Sequence, residues 1–345
     1  MSHGVAWRTL DRPQGSPDQM HEDFIIFSGT ASSRLGGHVA RLLDRHPGAC
    51  VIQRFPDGEV NVQLEETVRG REVYLVQSTC PPVDEHLIEL LAIADACRRA
   101  SASRITAVVP YFGYARADKR NGRRAPVTGR MVASLMESVG IQHLLTVDLH
   151  AAQTEGFFQI PVDCVTAVPA LCQAVQKSLE EGTVVVSPDE GRVKMATMYA
   201  RRLALPLVVL HKERRNGGST RITHVVGEVR DRPCLITDDM ISTGGTILDA
   251  IDALLKGGAR PGITVAATHG LFVGEARDYL SHPAIREIVI TDSVPFTQPD
   301  WEQVKVISLA PLLAAAIGRF RTDDSIGDLY DHVIHEGISA VKYQI

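Results

Sequence analysis

Short apolar runs alternate with segments of helix length along most of this chain, and that rhythm limits the folds open to it. The apolar runs at 24–27, 73–77 and 105–110 in the first half have counterparts at 183–186 and 207–210 in the second. Strands separated by helix-length segments need right-handed crossovers, which place the strands parallel in one sheet. The sequence therefore predicts an α/β fold of mainly parallel sheets flanked by helices.

The order strand, helix, strand occurs once in each half, at 73–110 and again at 234–268. This weak internal match favours two similar domains, which a duplication would explain. We predict an N-terminal domain at 23–165 and a C-terminal domain at 166–320. A polar, flexible extension at 1–22, without the apolar centre of a signal peptide, would precede them. A tail at 321–345 would follow and pack back on the N-terminal domain.

Composition excludes several classes of partner. The chain has 345 residues and a net charge of −5, so it has no general attraction for nucleic acid or acidic membranes. No apolar run approaches the roughly 20 residues of a membrane-spanning helix. Its six cysteines form no C-x-x-C pair, which fits reduced thiols better than a disulfide framework or a zinc site. We expect a cytoplasmic protein that binds neither nucleic acid nor membranes.

The segment CLITDDMISTGGTI, at 234–247, contains the strongest local signal. An apolar run at 234–236 predicts a strand, and an amphipathic pattern from about Ile247 predicts a helix. The Gly- and Thr-rich loop between them would bind an anion through backbone N–H groups and the helix N-terminus. Asp238 and Asp239 would repel a bare phosphate but could hold sugar hydroxyls, so the segment indicates a pentose phosphate. The plain alternative is a strand–turn–helix link with an acidic N-cap.

Two further polar clusters follow predicted strands, where ligands of parallel sheets bind. Asp148 and His150 are two residues apart, so their side chains could point the same way and hold a divalent metal. The alternative for this pair is a satisfied turn. The segment 187–191, SPDEG, precedes a helix and is a second possible anion cradle. Its Asp189 fits such a cradle if Mg²⁺ bridges the carboxylate and the phosphate oxygens.

A basic segment at 114–130 contrasts with the acidic chain as a whole. It is either a solvated face or a mobile flap that closes on polyphosphate. Nucleic acid is a poorer target, because aromatic side chains are sparse around the segment. Lys212 and Arg214, two apart at another strand end, would point in the same direction. The basic residues of the segment are Arg116, Lys119, Arg120, Arg123, Arg124 and Arg130.

Together these segments resemble the ribose-phosphate diphosphokinase, or phosphoribosyl pyrophosphate synthetase, family. Each motif is weak alone, but seven in the right order are specific. The resemblance implies two tandem phosphoribosyltransferase-like domains and self-association, often into hexamers built from dimers. The motifs are RFPDGE (54–59), VRGREVYLVQS (68–78), SASRITAVVPYFGYARADKR (101–120), DLHAAQTEGFF (148–158), SPDEG (187–191), HKER (211–214) and DDMISTGGT (238–246).

The resemblance also implies a division of labour among the residues. The chain would transfer pyrophosphate from ATP to ribose 5-phosphate with Mg²⁺ as cofactor, Lys212 and Arg214 would serve catalysis, and His150 and Asp189 would hold the metal. ATP would contact Phe55, Asp57 and Glu59 from a neighbouring subunit, together with Gln77, Arg116 and His150. Ribose 5-phosphate would bind Asp238, Asp239, Ser242, Thr243, Gly244, Gly245 and Thr246. The pyrophosphate loop would use Asp189 and Gly191.

The chain departs from the family pattern at three places, and two other functions are alternatives to the one that the resemblance implies. Ala117 stands where the family usually has Gln, Ser242 stands where it has Asp, and SPDEGR replaces a form with two adjacent glycines. A catalytically silent homologue that restrains active subunits is disfavoured because the acids and the Lys212–Arg214 pair are present. A phosphoribosyltransferase or a phosphoribosyl-pyrophosphate-sensing regulator would not need RFPDGE or the second half-repeat.

Overall fold

Two sheets with facing carboxyl edges form the frame of the protein. The structure, a computed structural model, describes residues 24–120, 122–214 and 220–330. The first sheet has five parallel strands in the order β1-β4-β5-β6-β7. They are β1 (Phe24–Ser28), β4 (Glu72–Val76), β5 (Arg104–Val109), β6 (His143–Val147) and β7 (Val162–Val165).

An antiparallel hairpin of β2 (Cys50–Arg54) and β3 (Val60–Leu64) projects from this first half. The hairpin and three helices surround the sheet. The helices are α1 (Ser33–Leu42), α2 (Val83–Arg99) and α3 (Thr128–Ser138).

The second sheet has seven strands in the order β10-β9-β8-β11-β12-β13-β14, of which β10 alone is antiparallel to its neighbour among the described pairings. The strands are β8 (Val184–Ser187), β9 (Leu207–Arg214), β10 (Thr220–Val226), β11 (Cys234–Ile241), β12 (Ile263–Gly270), β13 (Ile285–Thr291) and β14 (Val304–Ile307). The helices are α4 (Val168–Gln176), α5 (Val193–Leu203), α6 (Gly245–Lys256), α7 (Ala276–Leu280) and α8 (Ala310–Thr322).

Strand order fixes where this sheet can bind a ligand. The chain leaves β8 for β9 on one side and later returns to β11 on the other side. The loops after β8 and β11 therefore diverge and leave a crevice at the carboxyl ends of these strands. The predicted α/β class with helices on parallel sheets is confirmed. The domain limits remain a prediction.

The structure corrects two boundaries that matter for the site. The strand predicted at 234–236 runs to Ile241, so Asp238 and Asp239 lie inside β11 and not in the loop after it. The basic segment ends in a helix, since Arg130 lies in the first turn of α3 and donates to Ser134. The predicted strand ended too early because an apolar pattern stops at the first charged residue. Asp238 and Asp239 stay inside the strand because their charges have buried partners.

Contacts between the two halves bury polar and apolar groups together. Ser78 Oγ, at the end of β4, donates to the carbonyl of Ser293 at 2.5 Å. Helix α8 packs against α1, and the Arg321 guanidinium lies 4.0 Å from the centre of the Phe24 ring. Near the end of the described chain, the Thr166 N–H donates to the Leu329 carbonyl at 3.2 Å. Residues 331–345 of the predicted tail lie outside the described residues.

Glu89 provides a test of the hydrogen bonds inside the first half of the chain. Its carboxylate, 1% exposed, accepts from Thr30 N at 2.6 Å, from Thr30 Oγ1 at 2.8 Å and from Gln77 Nε2 at 2.8 Å. In Glu89→Ala the buried Gln77 Nε2 and the two donors of the exposed Thr30 lose their acceptor, so we expect a loss of about 1–3 kcal/mol in the free energy of unfolding. Ile88→Ala, on the same helix at a 52% exposed position, is the control for thermal unfolding. Equal melting temperatures for the two variants would contradict the assignment.

Candidate active site

The site forms where the loops after β6, β8 and β11 meet. His150 Nδ1, beyond the end of β6, lies 2.8 Å from Asp239 Oδ2 in β11. Asp189, beyond the end of β8, accepts the N–H of Arg192 at 3.1 Å, and Arg192 in turn reaches His150. The structure therefore brings together predicted site residues from both halves of the chain.

Asp238 and Asp239 are buried carboxylates in unlike surroundings. Burial and the neighbouring charge of Asp239 raise the pKa of Asp238 well above its ordinary value. Burial also works to raise the pKa of Asp239, but the hydrogen bond from His150 and the charge of Arg192 outweigh it and hold that pKa well below its usual range. Asp239 Oδ1 receives no hydrogen bond from the residues the structure describes. Arg192 Nε lies 3.2 Å from this oxygen, so the atom has an ion-pair partner but keeps the capacity to accept a hydrogen bond.

The loop after β11 has the geometry of an anion site. Gly244 adopts a φ of +80°, in the left-handed region, and a Cβ there would approach Leu280 Cγ to 3.0 Å. The next residue, Gly245, begins α6, whose free N–H groups open towards the loop. Thr243 is exposed beside them. The loop can therefore present backbone donors and a hydroxyl to a phosphate at a helix N-terminus.

A cavity of about 450 Å³ extends the site between the two halves. It joins Arg116, predicted to contact ATP, to Ser242 of the predicted sugar-phosphate loop, and Ala117 lines it as well. Two of the three departures from the family pattern therefore face the same space. Its volume is within the range of small-molecule sites. The remaining lining residues are Pro81, Val83, Asp84, Tyr111, Tyr114, Leu271 and Val273.

The other predicted nucleotide residues lie apart from this cavity. Phe55 is half exposed on the β2–β3 hairpin, and Asp57 accepts the N–H of Glu59 at 3.1 Å. Glu59 lines a separate cavity of about 430 Å³ with Arg54 and residues of α2. Gln77 is fully buried against Glu89. Within one subunit these residues do not join the site, and their roles remain predictions.

Lys212 and Arg214 lie at the end of β9, opposite Ile222 and Thr220 of β10. Their side chains lie outside the described part of the chain. The alternation of a strand places both residues on one face. Strand β9 neighbours β8, so the backbone of the pair lies one strand away from the Asp189 loop.

The comparisons with known proteins agree with this geometry. The model of the N-terminal domain of ribose phosphate pyrophosphokinase matches residues 24–140, and that of the phosphoribosyl synthetase-associated domain matches residues 219–331. Ribose-phosphate pyrophosphokinase from Haemophilus ducreyi is 41% identical over 314 residues, 90% of this chain and 99% of that protein. The Gloeobacter violaceus protein of the same name is 41% identical over 90% of this chain and 93% of its own length. The chain belongs to the ribose-phosphate pyrophosphokinase family.

A solved structure supports the same assignment. Phosphoribosylpyrophosphate synthetase from Mycobacterium smegmatis superposes with a TM-score of 0.81 at 39% identity, over 88% of this chain and all of that one. The predicted family and fold are therefore confirmed for this chain. No helix in the described ranges is long and apolar enough to cross a membrane.

Asp148 does not point into the candidate site, contrary to the expectation that it pairs with His150. Its φ of +40° breaks the alternation of the strand, and its carboxylate accepts from Ala167 N at 3.0 Å and Thr268 Oγ1 at 2.6 Å. Burial raises the pKa of Asp148. His269, also buried, lies 2.9 Å from Ser293 Oγ and 3.3 Å from the Asp148 carbonyl. This network joins the halves of the chain beneath the site.

The described residues offer a partial site for Mg²⁺. No group of three or more His, Cys, Asp or Glu side chains in the described ranges converges on one point. Mg²⁺ usually binds one or two carboxylates and completes its shell with water and substrate phosphate. Asp189, half-buried and linked to His150 through Arg192, fits that mode and no preformed protein cage. The donor set is therefore compatible with a metal that arrives with phosphate.

Arg192 and His269 belong to the site or the layer beneath it but were not predicted from the sequence. Arg192 follows the predicted pyrophosphate loop directly, and a cation adjoining an acid-containing cradle was a usable signal. His269 follows Thr268 near the end of an apolar strand, where polar residues mark a sheet edge that binds a ligand. Their contacts span 42 and 121 residues of sequence. Local patterns contain no information about such partners.

Asp238→Asn and Asp239→Asn should change the stability of the protein in different ways, because the two carboxyl groups differ in their partners. We expect Asp239→Asn to lose about 3 kcal/mol of stability because its buried ion pairs are broken. Asp238→Asn should unfold at or above the wild-type temperature, since it removes a carboxyl whose charged form is disfavoured by burial and by the charge of Asp239. Thermal unfolding of the ligand-free variants measures both effects.

The acid pair also predicts a pH dependence. The folded pKa of Asp239 is lowered, so its stabilisation is complete above the ordinary Asp pKa of about 4 and is lost as pH falls towards the folded value. The gap between wild type and Asp239→Asn should therefore shrink below pH ~4. A gap that widens on acidification would refute the assigned direction.

Proposed function

We propose that this chain transfers the pyrophosphoryl group of ATP to the anomeric hydroxyl of ribose 5-phosphate, with phosphoribosyl pyrophosphate and AMP as products. The observation that carries the proposal is the contact of His150 with Asp239 at 2.8 Å. It joins a residue of the predicted ATP site in one half to a residue of the predicted sugar site in the other. Acceptor and donor substrates would meet at that junction.

The acid pair and its loop would hold the acceptor. Hydroxyls of ribose would donate to Asp238 and Asp239, whose Oδ1 lacks a hydrogen bond from the described residues. The 5-phosphate would bind the N–H groups of the loop ending at Gly244 and Gly245, together with the Thr243 hydroxyl. Binding both ends of the sugar fixes the anomeric hydroxyl, which removes much of the entropic barrier to reaction.

The transfer step needs alignment and charge stabilisation. The anomeric oxygen would form a bond to the β-phosphorus in line with the bond that breaks to the α-phosphate oxygen, and AMP would leave with that oxygen. Lys212 and Arg214 would face the charge that develops on the transferred group and on AMP. Arg116 would hold the nucleotide in the cavity that it shares with Ser242. We assign no general base.

Asp189 and His150 would hold Mg²⁺ beside the phosphates. Bound there, the ion would neutralise part of the triphosphate charge. One carboxylate oxygen of Asp189 caps the turn at Arg192, which leaves the other oxygen to bind the metal. His150 directs Nδ1 at Asp239, and its Nε2, which lies 3.2 Å from Arg192 Nη2, would be the nitrogen that holds the metal.

Self-association belongs to the same proposal. Phe55, half exposed at the tip of the β2–β3 hairpin, has no place in its own subunit's cavity and would stack on adenine in a neighbour's. Asp57 and Glu59 would accompany it, and a hexamer built from dimers would supply the neighbours. A cytoplasmic location fits the six cysteines, all free thiols.

The products test the proposed reaction. Purified protein with ATP, ribose 5-phosphate and Mg²⁺ should release AMP, and omission of the sugar phosphate should stop the release. The reason is that the pyrophosphoryl acceptor is the sugar hydroxyl and not water. Chromatography of the nucleotides distinguishes the outcomes. ADP as the nucleotide product would signal transfer of a single phosphoryl group and refute the proposal.

Lys212→Ala and Arg214→Ala should each lower kcat by about 10²–10³-fold, typical for loss of one transition-state contact. KM should change far less, because the pair is proposed to act mainly in the transition state. Arg230→Ala, in the turn before β11, is the control and should match wild type. A change in KM alone would assign the pair to ground-state binding.

A further inference from the structure

Arg192 covers the acid pair in the structure. Its Nε lies 3.4 Å from Asp238 Oδ1 and 3.2 Å from Asp239 Oδ1. Its Nη1 donates to the His150 carbonyl at 3.3 Å, and its Nη2 lies 2.8 Å from His150 Nδ1. The side chain is 16% exposed, and Asp239 beneath it is 1% exposed. A sugar hydroxyl cannot reach Asp239 Oδ1 while the guanidinium stays there.

The backbone of Arg192 belongs to a different part of the site. Its N–H donates to Asp189 Oδ1 at 3.1 Å, which places the residue at the end of the predicted pyrophosphate loop, before α5. The side chain thus extends from the loop proposed to hold pyrophosphate to the acids proposed to hold ribose. A guanidinium with five N–H donors binds phosphate oxygens as readily as carboxylates. Two anionic partners therefore compete for one cation.

We propose that Arg192 is a positioning residue that couples the binding of the nucleotide to that of ribose 5-phosphate. This inference rests on the proposed function. Without nucleotide it neutralises Asp238 and Asp239 and blocks the ribose hydroxyls. The phosphates of bound ATP draw the guanidinium away from the acids and expose both carboxylates to the sugar. Ribose 5-phosphate therefore binds more tightly after the nucleotide than before it.

The charges around the pair explain why the guanidinium stays in place without nucleotide. Burial, the charge of Asp239 and, more weakly, that of Asp189 raise the pKa of Asp238, whereas the charge of Arg192 lowers it. Two buried like charges without a counter-ion are costly, so the guanidinium leaves only where another anion compensates. By linkage, the nucleotide and the sugar phosphate must strengthen each other's binding by the same factor.

The test measures binding without turnover. Titration calorimetry gives the Kd of ribose 5-phosphate in Mg²⁺ buffer, alone and with an ATP analogue that has a methylene group between the α- and β-phosphorus atoms. Wild type should bind the sugar phosphate at least about fivefold more tightly with the analogue, the lower end of typical coupling. In Arg192→Gln the ratio should fall towards one, because the sugar phosphate alone binds more tightly than in wild type.

Two further variants make the result specific. Arg192→Lys keeps the charge but not the fork and should retain part of the coupling. Arg99→Gln, whose exposed side chain pairs with Asp95 on α2, should keep the wild-type ratio. Thermal unfolding of each variant verifies the fold, and Arg192→Lys remains informative if Arg192→Gln does not fold.

The outcomes distinguish this inference from the proposed function. Unchanged coupling in both Arg192 variants would overturn the role of Arg192 and leave the reaction untouched. A wild-type ratio near one would overturn the coupling itself. Wild-type protein that binds ribose 5-phosphate under neither condition would overturn the proposed function together with this inference.

Discussion

The site depends on a buried charge that two halves of the chain stabilise together. Asp239 lies inside a strand at 1% exposure, a position that an isolated carboxylate could not occupy at acceptable cost. His150 from the first half and Arg192 from the second supply the compensating contacts. Removal of either half would leave the charge without part of its partners. Folding, docking of the halves and formation of the site are therefore linked through one carboxylate.

A polar layer beneath the site supports this contact. Asp148 takes a left-handed backbone conformation, turns away from the ligand space and bonds to Thr268 Oγ1. His269 continues the layer to Ser293, and burial lowers the pKa of His269, which favours its neutral form. Neutral hydrogen-bonded groups cost little to bury, so the layer can fix the geometry between the sheets. The charged groups are then confined to the crevice between β8 and β11, where ligands of such sheets bind.

The three departures from the family pattern all lie at the space where ligands would bind. Ala117 and Ser242 line one cavity, on opposite halves of the chain. Each replaces a longer polar side chain by a shorter one, so that cavity gains space, loses a polar group at Ala117 and has a neutral hydroxyl instead of a carboxylate at Ser242. The third departure places Arg192 on the acid pair. All three changes thus act on the ligand space, while the sheets that carry it follow the expected fold.

The sequence by itself determined the α/β class and the family, and it predicted an anion loop at 242–246 and polar clusters at strand ends. These follow from local periodicity and from motifs in a fixed order, which a linear chain displays directly. Only the tertiary structure decided that Asp148 is internal, that Gln77 is buried against Glu89, and that Arg192 lies on Asp238 and Asp239. Burial and long-range partners decide such questions. Which groups share a buried charge depends on contacts across 42 to 121 residues, and no local pattern encodes them.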